Sequence, residues 1–319
     1  MPQKISAADA SYFLGFDGGG TKTECVLADK EGRILTRATA GPSNPFRTGY
    51  TRAWFALSDA ADLVLSRQKV TSSHIRGVCA GLGGAGRTGV ARRVATFLRD
   101  NYPNAKVCVT TDLEIALEAA FGSGEGLVLH ADTGSAAFGR DANGRTARAG
   151  GRGPWFSDEG SAFDIGRRAI RAVSLAEENR GPATEIAARI FACHQCHGWD
   201  SLLDNVARNP DDVFPKTYPL VAELADKEDA VARQILSAAA VSLAELATSV
   251  ANELGWRNRE VGIARVGGMY GRSQYFDAAI ERELKTTVPQ GRLVSVDISP
   301  AEAAVRKALR LSRPEGNVA

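Results

Sequence analysis

The sequence has few of the features that would place a protein in a membrane, in an oxidising compartment or on nucleic acid. Its 319 residues contain no run of 18 apolar residues, so they offer no candidate transmembrane span. The segment from Met1 to Ser11 lacks the apolar centre of a secretion signal. Only five cysteines occur, without the spacing of a disulfide framework, and 39 basic against 37 acidic residues leave a net charge of +2. We therefore expect a cytoplasmic protein with neither a membrane nor a nucleic-acid partner.

Length and apolar content, in contrast, are those of an ordinary globular enzyme. Hydrophobic residues make up 44% of the chain, and Gly and Pro are not enriched enough to indicate disorder. A chain of 319 residues suits two domains of about 150 residues, each able to bury its own core.

A glycine-rich turn near the start of the chain is the first candidate binding site. The apolar run 12–16 reads as a strand that enters an acidic turn and leaves as a second strand, 24–28. Three consecutive glycines allow backbone N–H groups to turn toward an anion, and the hydroxyls of Thr21 and Thr23 add donors. Asp17 could hold a water molecule on a divalent cation, so the turn suits a nucleotide phosphate tail with Mg²⁺. This phosphate loop 1 comprises Asp17, Gly18, Gly19, Gly20, Thr21 and Lys22.

A second copy of the pattern begins 115 residues later. The strand 126–131 runs into phosphate loop 2, which we define as Asp132, Thr133, Gly134 and Ser135, and a further strand spans 136–140. Both hairpins end in the same D-x-x-G-R turn, at 29–33 and at 141–145. The repeat predicts two similar folding units whose loops face each other across a cleft. The alternative is that the two hairpins are unrelated.

The remaining pattern predicts alternating strands and helices. Residues 12–111 read as strand, strand, strand, helix, strand, helix, strand, which favours a largely parallel sheet flanked by helices, with ligands at the strand ends. The proline-containing loop 41–45 excludes helix and presents Asn44. Further elements are predicted at 33–38, 51–68, 76–82, 89–101, 106–111, 113–121, 162–175, 183–192, 219–254 (one or two helices), 261–266 and 302–309.

Two acidic residues and one glycine pair stand where strands or loops meet helices. Asp112 follows the strand 106–111, where it could be the N-cap of the next helix, a general base, or both, since a capping Asp keeps a second oxygen free. Asp158 lies in the glycine-rich block 150–161, which is either a capped connector or a polar binding loop. Gly267 and Gly268 follow the strand 261–266, and their position by itself favours an ordinary strand–helix turn.

Five motifs in this order and spacing carry a family resemblance. The chain resembles the N-acetylglucosamine kinase group, also called the BadF/BadG/BcrA/BcrD-type ATPases, within the superfamily of actin, sugar kinases and heat-shock chaperones. The resemblance runs from about Phe13 to about Leu309. The motifs are FDGGGT (16–21), TTDLEIAL (110–117), DTGS (132–135), GGRGPWFSDEGSAFDIGRRAI (150–170) and VGGMY (266–270).

The resemblance implies an α/β fold of two ribonuclease-H-like (actin-like ATPase) domains with a cleft between them. It places residues 1–117 and about 297–319 in the first domain and 118–296 in the second. It also implies an enzyme, often a homodimer, that uses ATP and Mg²⁺ to phosphorylate the 6-hydroxyl of an amino sugar, with N-acetylglucosamine as the first candidate. Glucosamine and N-acetylmuramic acid are the alternatives.

The same resemblance implies roles for individual residues. Asp112 would be the catalytic base, and Gly267 and Gly268 would lie at the adenosine, while the two phosphate loops would hold the phosphates. Asp17 would be near the metal, through water. Asp132, which the family does not have, would repel the phosphates unless it also binds the metal, so we predict it as a second metal-site residue. The implied substrate-binding residues are Asn44, Asp112, Gly150, Gly151, Arg152 and Asp158.

Several positions depart from the family pattern. Asp132 replaces the first Gly of the usual second loop, Ala136 an Asn, Arg152 a Trp, Ser157 a Gly, and Glu302 a Gly of the last helix. Because phosphate loop 1, Asp112 and Asp158 are intact, phosphoryl transfer is better supported than specificity for N-acetylglucosamine.

Two other classes of function, and one possible metal site, stay open. An activator ATPase would need cysteines for an iron–sulfur cluster, and only Cys193 and Cys196 are placed for that; with His194 and His197 they could equally hold zinc. A sugar-sensing repressor would need a DNA-binding domain, for which the residues before Phe13 are too few.

Overall fold

The structure, a computed structural model, describes residues 11–313, and these residues form two compact units. Unit 1 contains residues up to 123 and from 296 onward, and unit 2 contains residues 124–295. The predicted boundary after residue 117 would cut a helix that continues to Phe121. Residues 1–10 and 314–319, including the segment expected to lack a secretion signal, lie outside the described range.

Within residues 11–313, ten strands form two sheets of five. In chain order they are β1 (Tyr12–Gly18), β2 (Thr23–Asp29), β3 (Ile34–Ala40), β4 (Ile75–Leu82), β5 (Lys106–Thr111), β6 (Gly126–Ala131), β7 (Ser135–Arg140), β8 (Thr146–Gly150), β9 (Val261–Val266) and β10 (Gly291–Val294).

The described residues also form eleven α-helices and a short 3₁₀ turn, Ser72–His74. The helices are α1 (Pro45–Thr48), α2 (Tyr50–Gln68), α3 (Val90–Asn101), α4 (Asp112–Phe121), α5 (Ala162–Glu177), α6 (Glu185–Cys193), α7 (Trp199–Arg208), α8 (Pro210–Asp226), α9 (Ala230–Glu253), α10 (Gln274–Thr287) and α11 (Pro300–Ser312).

The two sheets have the same layout, which confirms the predicted fold class of two actin-like ATPase units. Unit 1 has the order β3-β2-β1-β4-β5 and unit 2 the order β10-β9-β6-β7-β8. In both, the two hairpin pairs are antiparallel and the two pairs made through helices are parallel. The prediction of a largely parallel sheet is therefore wrong. A tight glycine turn can connect only antiparallel neighbours, and each sheet begins with two such turns.

Alternation along β1 divides the core of unit 1 between the two faces of its sheet. Leu14 and Phe16 are fully buried on the face covered by α2 and α3, whereas Phe13 packs on the opposite face with Val305 of α11. Because successive side chains of a strand point to opposite faces, this one strand anchors both layers. Its carboxyl end, where phosphate loop 1 begins, is thereby held firmly.

Helix α8 begins nine residues before the predicted start at residue 219. It contains Pro215 and Pro219, which normally disfavour a helix interior. The helix persists because it buries Phe214 and Tyr218, and because it packs extensively along α5. Tertiary burial therefore outweighs the local preference.

Helix α9 is the one helix in residues 11–313 that is long and apolar enough to cross a membrane. Half of its apolar window is buried inside unit 2, where Ala240, Leu243 and Ala247 pack into the core. In this structure it is the central core helix of unit 2, in contact with α10, α8 and β7.

Candidate functional site

Phosphate loop 1 is the turn between β1 and β2, and its neighbours require glycine. The N–H of Gly19 donates to the carbonyl of Lys22 at 2.9 Å and closes the turn. A Cβ on Gly18 would overlap the Ser43 hydroxyl and the Leu82 side chain, so any other residue there would displace both. Thr21 and Lys22 are exposed at the tip. The loop therefore offers solvent-facing donors on a closely packed base.

Thr23 does not serve the phosphate loop as predicted. Its side chain is fully buried, and its hydroxyl donates to the carbonyl of Gly41 at 2.7 Å. The expectation that this hydroxyl would face a phosphate is wrong, because it joins β2 to the loop that carries Asn44.

Backbone hydrogen bonds bring three loops of unit 1 together. The carbonyl of Gly19 accepts from the N–H groups of Ser43 and Asn44, both at 3.1 Å. The carbonyl of Gly18 accepts from the N–H of Gly83 at 2.8 Å. Phosphate loop 1, the Asn44 loop and the turn after β4 are thus held in one cluster.

Asn44 and Asp112 meet at the turn after β4. A Cβ built on Gly83 would lie 3.2 Å from the Asn44 amide nitrogen and 3.4 Å from Asp112 Oδ2. The Asn44 Oδ1 accepts from the N–H of Phe46 at 3.0 Å, which caps α1 and fixes the side chain. Two predicted substrate-binding side chains therefore lie next to each other beside phosphate loop 1.

Asp112 is not the N-cap of α4; that alternative is wrong. The cap is Thr111, which forms a capping box with Glu114: the Thr111 hydroxyl accepts from the Glu114 N–H at 3.2 Å, and the Glu114 carboxylate accepts from the Thr111 N–H at 2.9 Å. Asp112 occupies the first helical position, where Oδ1 accepts from the Leu113 N–H at 3.0 Å. Its Oδ2 remains directed at Gly83.

The carboxyl of Asp17 is destabilised in its charged form. Burial, then the negative charges of Asp112 and Glu24, raise its pKa from 3.8 to about 7, against the opposing effect of Lys22. Glu24 lies directly across the β1–β2 ladder and is itself paired with Arg37 at 3.5 Å. Asp17 and Asp112 are thus two carboxylates whose repulsion a divalent cation would relieve. These groups fit Mg²⁺ with a phosphate chain.

Arg47 is a residue of this site that the sequence did not single out. Its Cδ lies 2.9 Å from the position of a Cβ on Gly20, so its side chain covers phosphate loop 1. An arginine at this place supplies positive charge for a phosphate. Because α1 has only four residues, no periodicity marked it.

Phosphate loop 2 in unit 2 is stabilised by its own first residue. The N–H of Asp132 donates to the Gly134 carbonyl at 2.9 Å, and Asp132 Oδ1 accepts from the Thr133 N–H at 3.0 Å. Ser135 is buried and its hydroxyl donates to the Glu159 carbonyl at 2.6 Å. The Ser135 hydroxyl therefore joins two loops, whereas Thr133 is partly exposed.

The predicted adenosine turn lies beside phosphate loop 2. Gly267 has φ +114° and packs so closely on the Ala131 carbonyl that a Cβ would overlap it. A Cβ on Gly268 would lie 3.5 Å from Asp132 Oδ1. Asp132 is exposed and its carboxylate stands between the loop and the turn.

Asp158 adopts a left-handed backbone with φ +64° and is 8% exposed. Its Oδ2 lies 2.9 Å from the position of a Cβ on Gly134, and its Oδ1 accepts from the Gly153 N–H at 3.4 Å. Such strain in a buried acid is a feature of functional sites. Asp158 is therefore placed at phosphate loop 2.

The other predicted substrate-binding residues of the block 150–161 are a strand end, a glycine whose carbonyl is hydrogen-bonded within the block's own unit, and an exposed arginine. Gly150 ends β8 and pairs with Ala136, while the Gly151 carbonyl accepts from Arg148 at 2.8 Å. Arg152 is exposed. These residues belong to unit 2, whereas Asn44 and Asp112 belong to unit 1.

Asp164 anchors the block 150–161 and was missed in the sequence. Burial opposes its charge, but hydrogen bonds from Arg168 and from the Gly160 N–H lower its pKa. It is ionised and buried at the start of α5, whose N-cap is Ser161. The S-x-x-D spacing of an N-cap could have indicated it.

The cysteine and histidine residues at the end of α6 (193–197) do not form a zinc or iron–sulfur site within residues 11–313. Cys193 Sγ contacts the Lys216 carbonyl at 3.6 Å, and His194 Nε2 lies 2.8 Å from the Thr217 hydroxyl. In residues 11–313, no group of three or more His, Cys, Asp or Glu side chains could hold a metal ion. Cys196 is buried against Asn205.

Glu302, which stands where the family pattern has a glycine, has a structural role. Glu302 forms an ion pair with Arg37, and its N–H is bonded by Ser299, the N-cap of α11. The acidic residue thus attaches α11 to β3.

Comparisons with known proteins agree with one another. The chain matches the BadF/BadG/BcrA/BcrD ATPase family over residues 14–306. It is 28% identical to the N-acetylmuramic acid/N-acetylglucosamine kinase of Clostridium acetobutylicum, covering 92% of this chain and 97% of that protein. It is 27% identical to the N-acetyl-D-glucosamine kinase of Dictyostelium discoideum, covering 93% and 97%. A solved structure from Chromobacterium violaceum, provisionally designated an N-acetylglucosamine kinase, is similar with a TM-score of 0.76 and 25% identity, covering 95% and 99%.

Proposed function

Because the chain belongs to the BadF/BadG/BcrA/BcrD ATPase family, we propose that it is an ATP-dependent kinase of amino sugars. The acceptor is the 6-hydroxyl, and N-acetylglucosamine is the first candidate substrate. Glucosamine and N-acetylmuramic acid are the alternatives. The observation that carries the proposal is the cluster of Asp17, Asn44 and Asp112 around phosphate loop 1, together with relatives named as amino sugar kinases.

In this proposal Asp112 is the catalytic base and Asn44 orients the sugar. Asp112 Oδ2 is directed at the Gly83 turn beside Asn44, so a hydroxyl held by the Asn44 amide would lie within its reach. Asp112 accepts the proton as the hydroxyl attacks, which contributes roughly 10²–10⁴ in rate.

Phosphate binding is assigned to the two glycine-containing loops. When bound, Mg-ATP supplies the γ-phosphoryl group and the positive charge that offsets its oxygens. In unit 1, the N–H groups of phosphate loop 1 and the Arg47 side chain would face the phosphates, and Asp17 would hold a water molecule bound to the metal. In unit 2, Thr133 and the N–H groups of phosphate loop 2 would also bind the phosphates, Asp132 would be near the metal, and the Gly267–Gly268 turn would be at the adenosine.

Sugar recognition from unit 2 is assigned to Asp158 and to the segment 150–152. Asp158 has a strained backbone and is buried, and its carboxylate is suited to accept hydrogen bonds from vicinal hydroxyls. Gly150, Gly151 and Arg152 would border the acylated amino group.

A sugar panel tests the proposed activity. ADP release would be measured with N-acetylglucosamine, glucosamine, N-acetylmuramic acid, N-acetylmannosamine and glucose. We expect turnover with at least one of the amino sugars and little with glucose. The 6-deoxy analogue of the best substrate should bind but release no ADP. If no amino sugar is phosphorylated, or if the 6-deoxy analogue is, the proposal is wrong.

Nucleotide binding is tested by calorimetry with a non-hydrolysable ATP analogue. Gly19→Val is the best loop 1 variant, because a Cβ at Gly19 meets nothing closer than 4.0 Å and the fold should survive. Thr133→Val removes one donor from loop 2, and Thr286→Val on the exposed side of α10 is its matched control. We expect affinity to fall about tenfold or more in the first two variants and to stay unchanged in the third. Unchanged affinity in all three would exclude the two-loop arrangement.

A further inference from the structure

Beside the Asn44 loop, unit 1 carries an exposed aromatic ring with an arginine stacked on it. Phe46 is 54% exposed, although it is one of the larger apolar side chains of the unit. The Arg87 guanidinium lies 3.7 Å from the centre of its ring. Arg87 comes from the turn between β4 and α3, so the pair joins that turn to α1.

This pair continues the row of residues that begins at Asp112. A Cβ on Gly83 would contact both Asp112 and Asn44, and a Cβ on the adjacent Gly84 would lie 2.9 Å from Asn44 Oδ1 and 3.7 Å from Phe46 Cδ2. The order along the Gly83–Gly84 turn is therefore Asp112, Asn44, Phe46 and then Arg87. The turn itself presents no side chain, so the row is open to a ligand.

Within residues 11–313, no acidic side chain neutralises the charge of Arg87. Among residues 11–313, the ion pairs of unit 1 do not include Arg87, and its side chain donates no hydrogen bond to another described residue. Stacking on the face of Phe46 holds the guanidinium plane but leaves its edge N–H groups available. A planar fork with free edges is the geometry that binds a carboxylate through two hydrogen bonds.

The position of the Arg87 guanidinium relative to Asp112 indicates which part of a bound sugar it would contact. The 6-hydroxymethyl group of a hexose is attached to C5, which lies across the ring from C2 and its neighbour C3. If the 6-hydroxyl faces Asp112 and the sugar ring lies along this row, the substituents at C2 and C3 are directed toward Phe46 and Arg87. The ring of Phe46 would cover the apolar part of that substituent.

We propose that Phe46 and Arg87 form a specificity site for a carboxylate carried at C2 or C3 of the amino sugar. The preferred substrate class of this site is accordingly an N-acylated hexosamine with an acidic ether or acyl substituent. The inference rests on the proposed kinase function and deepens it. It also gives an anionic partner to an arginine that has none among residues 11–313.

The test compares an acidic with a neutral sugar on variants of Arg87. The probes are N-acetylmuramic acid, which carries a carboxylate at C3 through an ether, and N-acetylglucosamine, which lacks it. Arg87→Met keeps the length and apolar stem of the side chain and removes the fork. Arg93→Met is the matched control, because Arg93 lies 5.0 Å over the Tyr50 ring in the same unit and is also exposed.

We expect Arg87→Met to raise the KM and the calorimetric Kd for N-acetylmuramic acid by about tenfold or more and to change those for N-acetylglucosamine less than twofold. Arg87→Lys should recover only part of the loss, because an ammonium cannot form the planar fork. Raising the salt concentration should weaken binding of the acidic sugar alone. Arg93→Met should leave both sugars unchanged.

The outcomes separate this inference from the proposed function. If the wild type phosphorylates N-acetylglucosamine but does not bind N-acetylmuramic acid, or if Arg87→Met affects both sugars equally, the carboxylate site is wrong and the kinase proposal stands. If neither sugar is bound or phosphorylated, both are wrong. Equal losses in Arg87→Met and Arg93→Met would indicate a general effect of stacked surface arginines and would overturn the inference.

Discussion

Asp112→Asn distinguishes catalysis from binding with little disturbance of the fold. Thr111, rather than Asp112, caps α4, so the substitution leaves the capping box intact. The Asn side-chain oxygen can still accept from the Leu113 N–H, which Asp112 Oδ1 does at 3.0 Å. The change therefore removes one negative charge and the ability to accept a proton, while the size and local hydrogen bonding remain.

The expected magnitude follows from the role of a general base. A base acts only as the hydroxyl attacks, whereas a hydrogen bond to the sugar already exists in the ground state. We expect kcat to fall by roughly 10²–10⁴, which corresponds to about 3–5 kcal/mol of transition-state stabilisation. The KM for the sugar should rise less than tenfold.

The charge change has a second consequence that can be measured without turnover. Asp112 is the second-largest cause of the raised pKa of Asp17, after burial. Without that charge, the pKa of Asp17 should fall toward its usual range and the ligand-free protein should be at least as stable as the wild type at pH 8. Thermal unfolding measures this effect, and nucleotide affinity from calorimetry should be retained.

Steady-state kinetics on the best amino sugar, with single-turnover measurements, are the appropriate assay. A kcat within tenfold of the wild type would refute the assignment of Asp112 as the base. A large loss of kcat accompanied by loss of nucleotide binding would also refute it, since the residue would then act on the phosphates or the fold.

Three further predictions concern the other acids of the site. Asp17→Asn should unfold at a higher temperature than the wild type at pH 8 and at the same temperature as the wild type at pH 4. The pKa of Asp17 is about 7 in the folded protein and 3.8 in the unfolded chain, so the stability of the wild type falls by at most about 4 kcal/mol as the pH rises between these values. A difference in unfolding temperature that stays constant across this pH range would contradict the prediction. Asp132→Gly should change the Mg²⁺ dependence of turnover more than sugar affinity, and an unchanged Mg²⁺ titration would show that Asp132 is only a turn residue. Asp158→Asn should raise the KM for the sugar more than it lowers kcat, and the reverse pattern in steady-state kinetics would place it at the phosphoryl group instead.

Local sequence was sufficient for the hairpins and their repetition. A glycine-rich turn between two apolar runs determines an antiparallel pair almost by itself, and residues 12–29 and 126–140 carried that information twice. The helices α2 and α3 also follow from their apolar periodicity. The parallel strands were predicted as elements, but their partners could not be read from local pattern.

The residues that were misassigned or missed in the sequence depend instead on contacts between distant parts of the chain. The Thr23 and Ser135 hydroxyls look like phosphate donors in sequence, yet each is used by a carbonyl 18 or 24 residues away in the chain. Arg47 lies over Gly20 only because the Asn44 loop is held by the Gly19 carbonyl. Helix α8 forms through prolines because its other face is buried.

The sequence by itself therefore determined the family, the repeated strand–turn–strand units and the identity of the acids at the strand ends, because these depend on backbone preferences within a few residues. Only the tertiary structure decided which hydroxyls remain free, that Thr111 rather than Asp112 caps α4, and that Arg87 stacks on Phe46 at the end of the Asn44 row. Those properties depend on groups brought together from distant loops, where hydrogen-bond competition and burial assign each polar atom its partner.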